Sequence, residues 1–189
     1  AIPLVTTDVT GADLITGAEG TIVGLSAGQG LTIYDFNADT GQLANPNMVT
    51  GGGQLQMNAS NTSGYTADIS YSDPSGTDYD NPQNFAAQGD YFYFDVVEAD
   101  FGAGNDFSVD VTVFDATGAS FTASLNVPTG TIIAQRLLLS FASFSGVDFT
   151  QVSGVVTEIT AGASVDVTLD EVGIVPEPAS IALLGLGLL

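Results

Sequence analysis

The sequence predicts an all-β protein: an antiparallel jelly-roll-like β-sandwich of about ten strands, followed by a C-terminal hydrophobic tail. Three observations lead there. Short runs rich in Val, Ile, Thr, Phe and Tyr alternate apolar and polar residues along most of the chain, as half-buried strands do. Clusters of Gly, Asn and Asp separate these runs and supply turn chemistry. No segment sustains a convincing helical period, and many short strands without helices pack as two sheets.

Residues 1–30 hold β-rich pieces at 4–9, 13–16 and 21–25 between glycines, and read as an N-terminal β-rich extension. Residues 31–174 make up the expected sandwich. Its first firm strand is 31–36 (LTIYDF), ended by Asn37, Asp39 and Gly41. Residues 48–50 and 54–58 flank a triple glycine, and Leu55 and Met57 alternate with Gln54, Gln56 and Asn58, giving one wet face. Residues 65–71 (YTADISY) continue the pattern. The stretch 72–90 carries four aspartates, two prolines and two glycines, and reads as a long surface loop, either one that holds a cation or ligand or a plain connection.

From residue 91 the alternation sharpens. Residues 91–98 (YFYFDVVE) place Phe92, Phe94 and Val96 on one face and Tyr91, Tyr93 and Asp95 on the other. Residues 106–114 turn Phe107, Val109, Val111 and Val113 inward, and 119–127 complete a hairpin with Phe121, Ala123 and Leu125 inward. Residues 135–144 (QRLLLSFASF) are the one place where a helix competes; the β-rich neighbours favour a strand. Residues 152–159 and 164–174 are the last two strands.

Composition narrows the function. The chain has 22 Asp plus Glu against one basic residue, Arg136, for a net charge of −21. Such a surface repels phosphate backbones and anionic membranes, so nucleic acid is excluded as a partner and cations are favoured. Calcium, which takes six to eight oxygen ligands, suits a chain rich in carboxylates and carbonyls. There is no Cys, His or Lys. Disulfides, thiol nucleophiles, the commonest general base, the usual zinc ligand and the Schiff-base amine are therefore all missing. Paired carboxylates are the one machinery left, and no sequence feature marks one as a tuned acid, so the chain reads as non-enzymatic, with no catalytic residues.

Two smaller features invite chemistry. Tyr91 and Tyr93 on one strand face offer a stacking platform for sugar rings, the ligand-binding candidate here. Residues 101–109 (FGAGNDFSV) approximate a calcium-binding nonapeptide, but in a single copy, which fits a turn entering a strand better. The segment AIPLVTTDVTG has neither the basic region nor the apolar core of a signal peptide, and suits a mature end left by cleavage.

The tail, residues 175–189 (VPEPASIALLGLGLL), sets Pro176, Glu177 and Pro178 ahead of an apolar run. Pro-x-Pro stops the preceding strand. Residues 181–189 would span about 14 Å as a helix against a hydrocarbon core of about 30 Å, so they cannot cross a bilayer alone. This order resembles the PEP-CTERM sorting signal of exported bacterial proteins, although no Arg or Lys follows Ser180. The resemblance implies export, transient membrane contact through the tail, and processing by an exosortase near Pro176, Glu177 and Pro178. Residues 31–174 look like the β-rich ectodomains that precede such signals and, more loosely, like jelly-roll carbohydrate-binding modules, in phrases such as VDVTVFDATG and LSFASFSGVDFTQV. Those modules often hold a structural calcium where first and last strands lie side by side, and Asp35 and Asp170 resemble that pair.

The resulting expectation is an exported, non-enzymatic structural protein of the cell surface or extracellular matrix. It would self-associate or contact exopolysaccharide, and its short apolar tail would be donated to a neighbour's sheet edge to build a filament. The alternative is a calcium-dependent carbohydrate-binding surface module.

Overall fold

The computed structural model describes residues 2–6, 13–16, 20–26, 30–38, 47–51, 54–59, 64–72, 82–101, 107–127 and 130–175, with side chains described from residue 55 onward except at 70–72, 101 and 171. These residues form strands β1 (Ile2–Thr6), β2 (Asp13–Thr16), β3 (Gly20–Ser26), β4 (Gly30–Ala38), β5 (Asn47–Gly51), β6 (Gln54–Asn58) and β7 (Tyr65–Ser72). There follow β8 (Tyr91–Phe101), β9 (Phe107–Asp115), β10 (Ser120–Ser124), β11 (Ile132–Ser140), β12 (Val152–Ala161) and β13 (Val165–Val175). The stretch in which a helix competes is strand β11, followed by a single 3₁₀ turn at Phe141–Ser143 that Ser140 caps.

The strands build two antiparallel sheets. The front sheet runs β11-β8-β13-β6-β5-β2, with β1 also beside β13; the back sheet runs β10-β9-β12-β7-β4-β3. Numbered one to eight from β6 to β13, the shared centre reads 1-8-3-6 in front and 2-7-4-5 behind, the strand order of a jelly roll. The expected fold class is therefore what the chain adopts. The expected boundary at residue 30 falls inside a hairpin, because β3 pairs with β4 from Gly20↔Phe36 to Ser26↔Gly30, and β4 pairs in turn with β7. Residues 176–189, with Pro176, Glu177 and Pro178, lie outside the described residues, as do 73–81 of the long loop and 102–106 of the nonapeptide-like segment.

The core forms because each strand turns its apolar set inward. Val109, Val111 and Val113 of β9 face Phe92, Phe94 and Val96 of β8 and Val165, Val167 and Leu169 of β13 across the sandwich, all buried. At one end Phe92 gathers Phe85, Phe141, Phe144 and Phe149, with Phe141 stacked on Phe149 at 4.0 Å and 11°. Such ring contacts add to the area term of burial. Farther along, Phe94, Val109, Leu125, Ile132 and Leu137 help line an apolar void of about 10 Å³, which is too small for a ligand.

Candidate functional site

The outer face of the front sheet holds Tyr91 and Tyr93, the ligand-binding candidates of the sequence. Because Phe92, Phe94 and Val96 point into the core, Tyr91, Tyr93 and Asp95 of β8 face outward. Tyr93 stands opposite Leu138 of β11 and Gly173 of β13. Its ring lies across Gly173, where an added Cβ would come within 2.6 Å of the phenol, so only glycine leaves room. On the other side the Arg136 guanidinium sits 4.1 Å above the ring centre. Arg136 is fixed there by Asp95, which accepts from Nε at 2.6 Å and also from Nη2.

Tyr93 is consequently 0 % exposed. The expectation of a two-tyrosine platform is corrected at this position: the face a sugar would stack on is occupied by the guanidinium. Tyr91 is half-buried, opposite Ser140 and Val175.

Toward the other end of β8 the same face carries two polar rows that cross adjacent strands. Asn58, Asp166 and Asp100 stand in register across β6, β13 and β8; Gln56, Thr168 and Glu98 form the next row. Thr131 donates to Asp100 at 3.3 Å, and the Ala59 amide donates to Asp166 at 3.1 Å. Desolvation raises the Asp166 carboxyl above its ordinary range, and the charges of Asp100 and Glu98 push the same way, against the Ala59 hydrogen bond. These rows were not picked out from the sequence, because register between strands is not a local signal.

The calcium pair is not brought together. Asp35 lies on β4 of the back sheet and Asp170 on β13 of the front sheet, exposed beside the register shift that separates Leu169 from Glu171. The first strand does lie beside the last, but that strand is β1. Asp35 instead stands opposite Asp68, Asp68 opposite Glu158, and Glu158 opposite Asp110, so four carboxylate residues occupy one line across the back sheet. Among the described residues no group of three carboxylates is placed to hold a metal ion.

Two further aspartates act structurally. Asp115 closes the β9–β10 turn: its Oδ1 accepts from the Thr117 amide and hydroxyl at 2.9 and 2.6 Å and from the Ala119 amide at 3.1 Å. Its Oδ2 accepts from the Asp148 amide at 2.9 Å, tying in the loop before β12. These bonds, the Thr117 hydroxyl foremost, hold the carboxyl at about 2. Asp148 repeats the device with Thr150 and Gln151, and its carboxyl is likewise lowered. Both are saturated acceptors, unsuited to donating a proton near neutrality.

No protein-family model matches the chain, and no curated protein does. Among solved structures the chain is similar to the family 30 carbohydrate-binding module of a Clostridium thermocellum cellulosomal cellulase, with a TM-score of 0.43 and 13% identity over 87% of this chain and 94% of that one. It is also similar to the family 11 carbohydrate-binding module from Clostridium thermocellum, with a TM-score of 0.38 and 11% identity over 90% and 95% of the two chains. A third likeness is to PfGH50B, with a TM-score of 0.44 and 13% identity; it takes in 89% of this chain but only 23% of that one.

Proposed function

We propose that this chain is an exported, non-catalytic module of the cell surface or extracellular matrix whose front-sheet outer face holds a neutral polysaccharide. The observation that carries the proposal is the pair of polar rows, Asn58-Asp166-Asp100 and Gln56-Thr168-Glu98, set on an open sheet face. Neighbouring strands repeat about every 4.8 Å, so amide, hydroxyl and carboxylate groups form a lattice that donates to and accepts from sugar hydroxyls. Tyr91 and Leu138 add apolar surface on the same face for the flat side of a ring. At a net charge of −21 an anionic glycan is repelled, whereas an uncharged one meets no such barrier.

The Pro176-Glu177-Pro178 motif supports exosortase-dependent delivery with transient membrane contact. Calcium enters as a counter-ion of the acidic surface rather than as a ligand of Asp35 and Asp170. Filament formation through the tail involves residues 176–189 and draws no support from the described residues.

Affinity electrophoresis in neutral exopolysaccharide tests the binding face. Tyr91→Ala and Asp100→Ala should each weaken retention roughly tenfold, equivalent to about 1.4 kcal/mol, while Thr112→Ala on the back sheet leaves it unchanged. Full retention by both front-face variants, or no retention of the natural protein on any neutral polymer, rules the face out.

A further inference from the structure

The front face treats its two tyrosines differently. Tyr91 and Tyr93 stand two residues apart on the outer side of β8, about 7 Å along the strand, a spacing over which one short run of sugars can touch both. Tyr91 is half-buried and reachable, whereas Tyr93 is fully buried. The difference lies in what covers them. One side of the Tyr93 ring lies against the backbone at Gly173. The other side carries the Arg136 guanidinium, 4.1 Å from the ring centre, and that side chain is itself 46% exposed. Arg136 is thus the outermost layer of a stack whose middle is an aromatic ring and whose floor is the sheet. Leu138, opposite Tyr93 on β11, exposes 38% of its surface beside this stack.

We infer that Arg136 sets how tightly this face holds a glycan, by occupying the stacking place over Tyr93 that a sugar ring would otherwise take. The inference rests on the glycan reading of the front face and names the residue that limits it. A guanidinium and the apolar side of a sugar compete for the same π surface, the cation drawn by the ring quadrupole and the sugar by contact area. One ring face accommodates one of them. The guanidinium has the advantage of attachment: Arg136 and Asp95 are cross-strand partners, and Asp95 accepts from Nε and Nη2, which aims the group along β8 over residue 93. A surface ion pair of this kind adds little to stability, so the sheet keeps its form when the cap is removed. Tyr93 then joins Tyr91 and Leu138 in one apolar strip across β8 and β11.

Two measurements on the full chain separate the cap from the glycan reading. Tetranitromethane nitrates reachable tyrosines, and mass mapping should find Tyr93 unmodified in the natural chain and modified in Arg136→Ala. Affinity electrophoresis in hydroxyethylcellulose, galactomannan and dextran, all uncharged, should show Arg136→Ala retained roughly fivefold more strongly than the natural chain, the order expected of one added ring contact. Arg136→Met removes the same charge but leaves a long side chain able to lie over the ring, and should gain less. Adding Tyr93→Leu to Arg136→Ala should cancel the gain, the mark of coupling between the two positions. Circular dichroism verifies that each variant is folded; if the double variant is not, nitration and Arg136→Met decide. A retained natural chain with an Arg136→Ala variant that gains nothing, or is held more weakly, overturns the cap and leaves the glycan face standing. Equal gains from Arg136→Ala and Arg136→Met overturn it by assigning the effect to charge, and so does a Tyr93 that nitrates in the natural chain or stays protected in the variant. Retention of neither protein on any of the three polymers overturns both readings.

Discussion

At the scale of single residues, a side chain's fate is settled by partners far away in the chain. Alternation in β8 places Tyr93 outward, and outward it is; its burial depends on Arg136 from β11 and on Gly173 from β13, neither of which a local pattern couples to it. Asp115 is legible only as a turn residue from the sequence, yet its second oxygen reaches the Asp148 amide and ties two loops together. Because its folded carboxyl is depressed to about 2 from an ordinary 3.8, the stability it contributes is fully present above the unfolded value and is lost as pH falls through the folded one. Asp115→Asn keeps one acceptor oxygen and loses the other. Urea unfolding followed by circular dichroism should find the variant less stable near neutral pH, with the gap closing as pH falls from about 4 toward 2. A gap that stays constant over that range would mean that ionisation plays no part in the clamp.

At the scale of strands, period-two alternation made nearly every element legible. The core residues Phe92, Phe94, Val109, Val111 and Val167 lie where alternation puts them. What alternation lacks is a partner: it cannot tell which sheet a strand joins, so Asp35 and Asp170 fall in different sheets. The same missing information hid the back-sheet line of Asp110, Glu158, Asp68 and Asp35, in which like charges stand directly opposite one another. Cross-strand pairs contribute roughly 0.2–1 kcal/mol, with like charges on the unfavourable side. Glu158→Gln removes the charge shared by two such pairs and should stabilise the protein by about that amount at low salt. The gain should shrink at high salt, where exposed charges are screened. A loss of stability in the thermal melt would show that Glu158 makes a favourable contact that outweighs the repulsion.

At the scale of the whole molecule, charge sets the terms. A chain at −21 with one ion pair among its described residues folds against its own repulsion. Its melting temperature should climb by several degrees as sodium chloride is raised from low to physiological ionic strength, and calcium should act in the same direction at lower concentration. A midpoint insensitive to both would mean that the carboxylates are already neutralised. The same charge explains why Arg136 is placed with Asp95: it is the one basic side chain in the sequence, and it offsets a carboxylate on the outer face of the front sheet.

The position of β13 has a further consequence. The last described strand is not an edge but the keystone of the front sheet, held by β8 along one side and by β6 and β1 along the other. Until residues 165–175 have left the ribosome, the pieces they join have nothing to close on, and contacts spanning nearly the whole chain are slow to form. Closure of the front sheet therefore waits on residues 165–175, while the back-sheet hairpins β3–β4 and β9–β10 can pair without them.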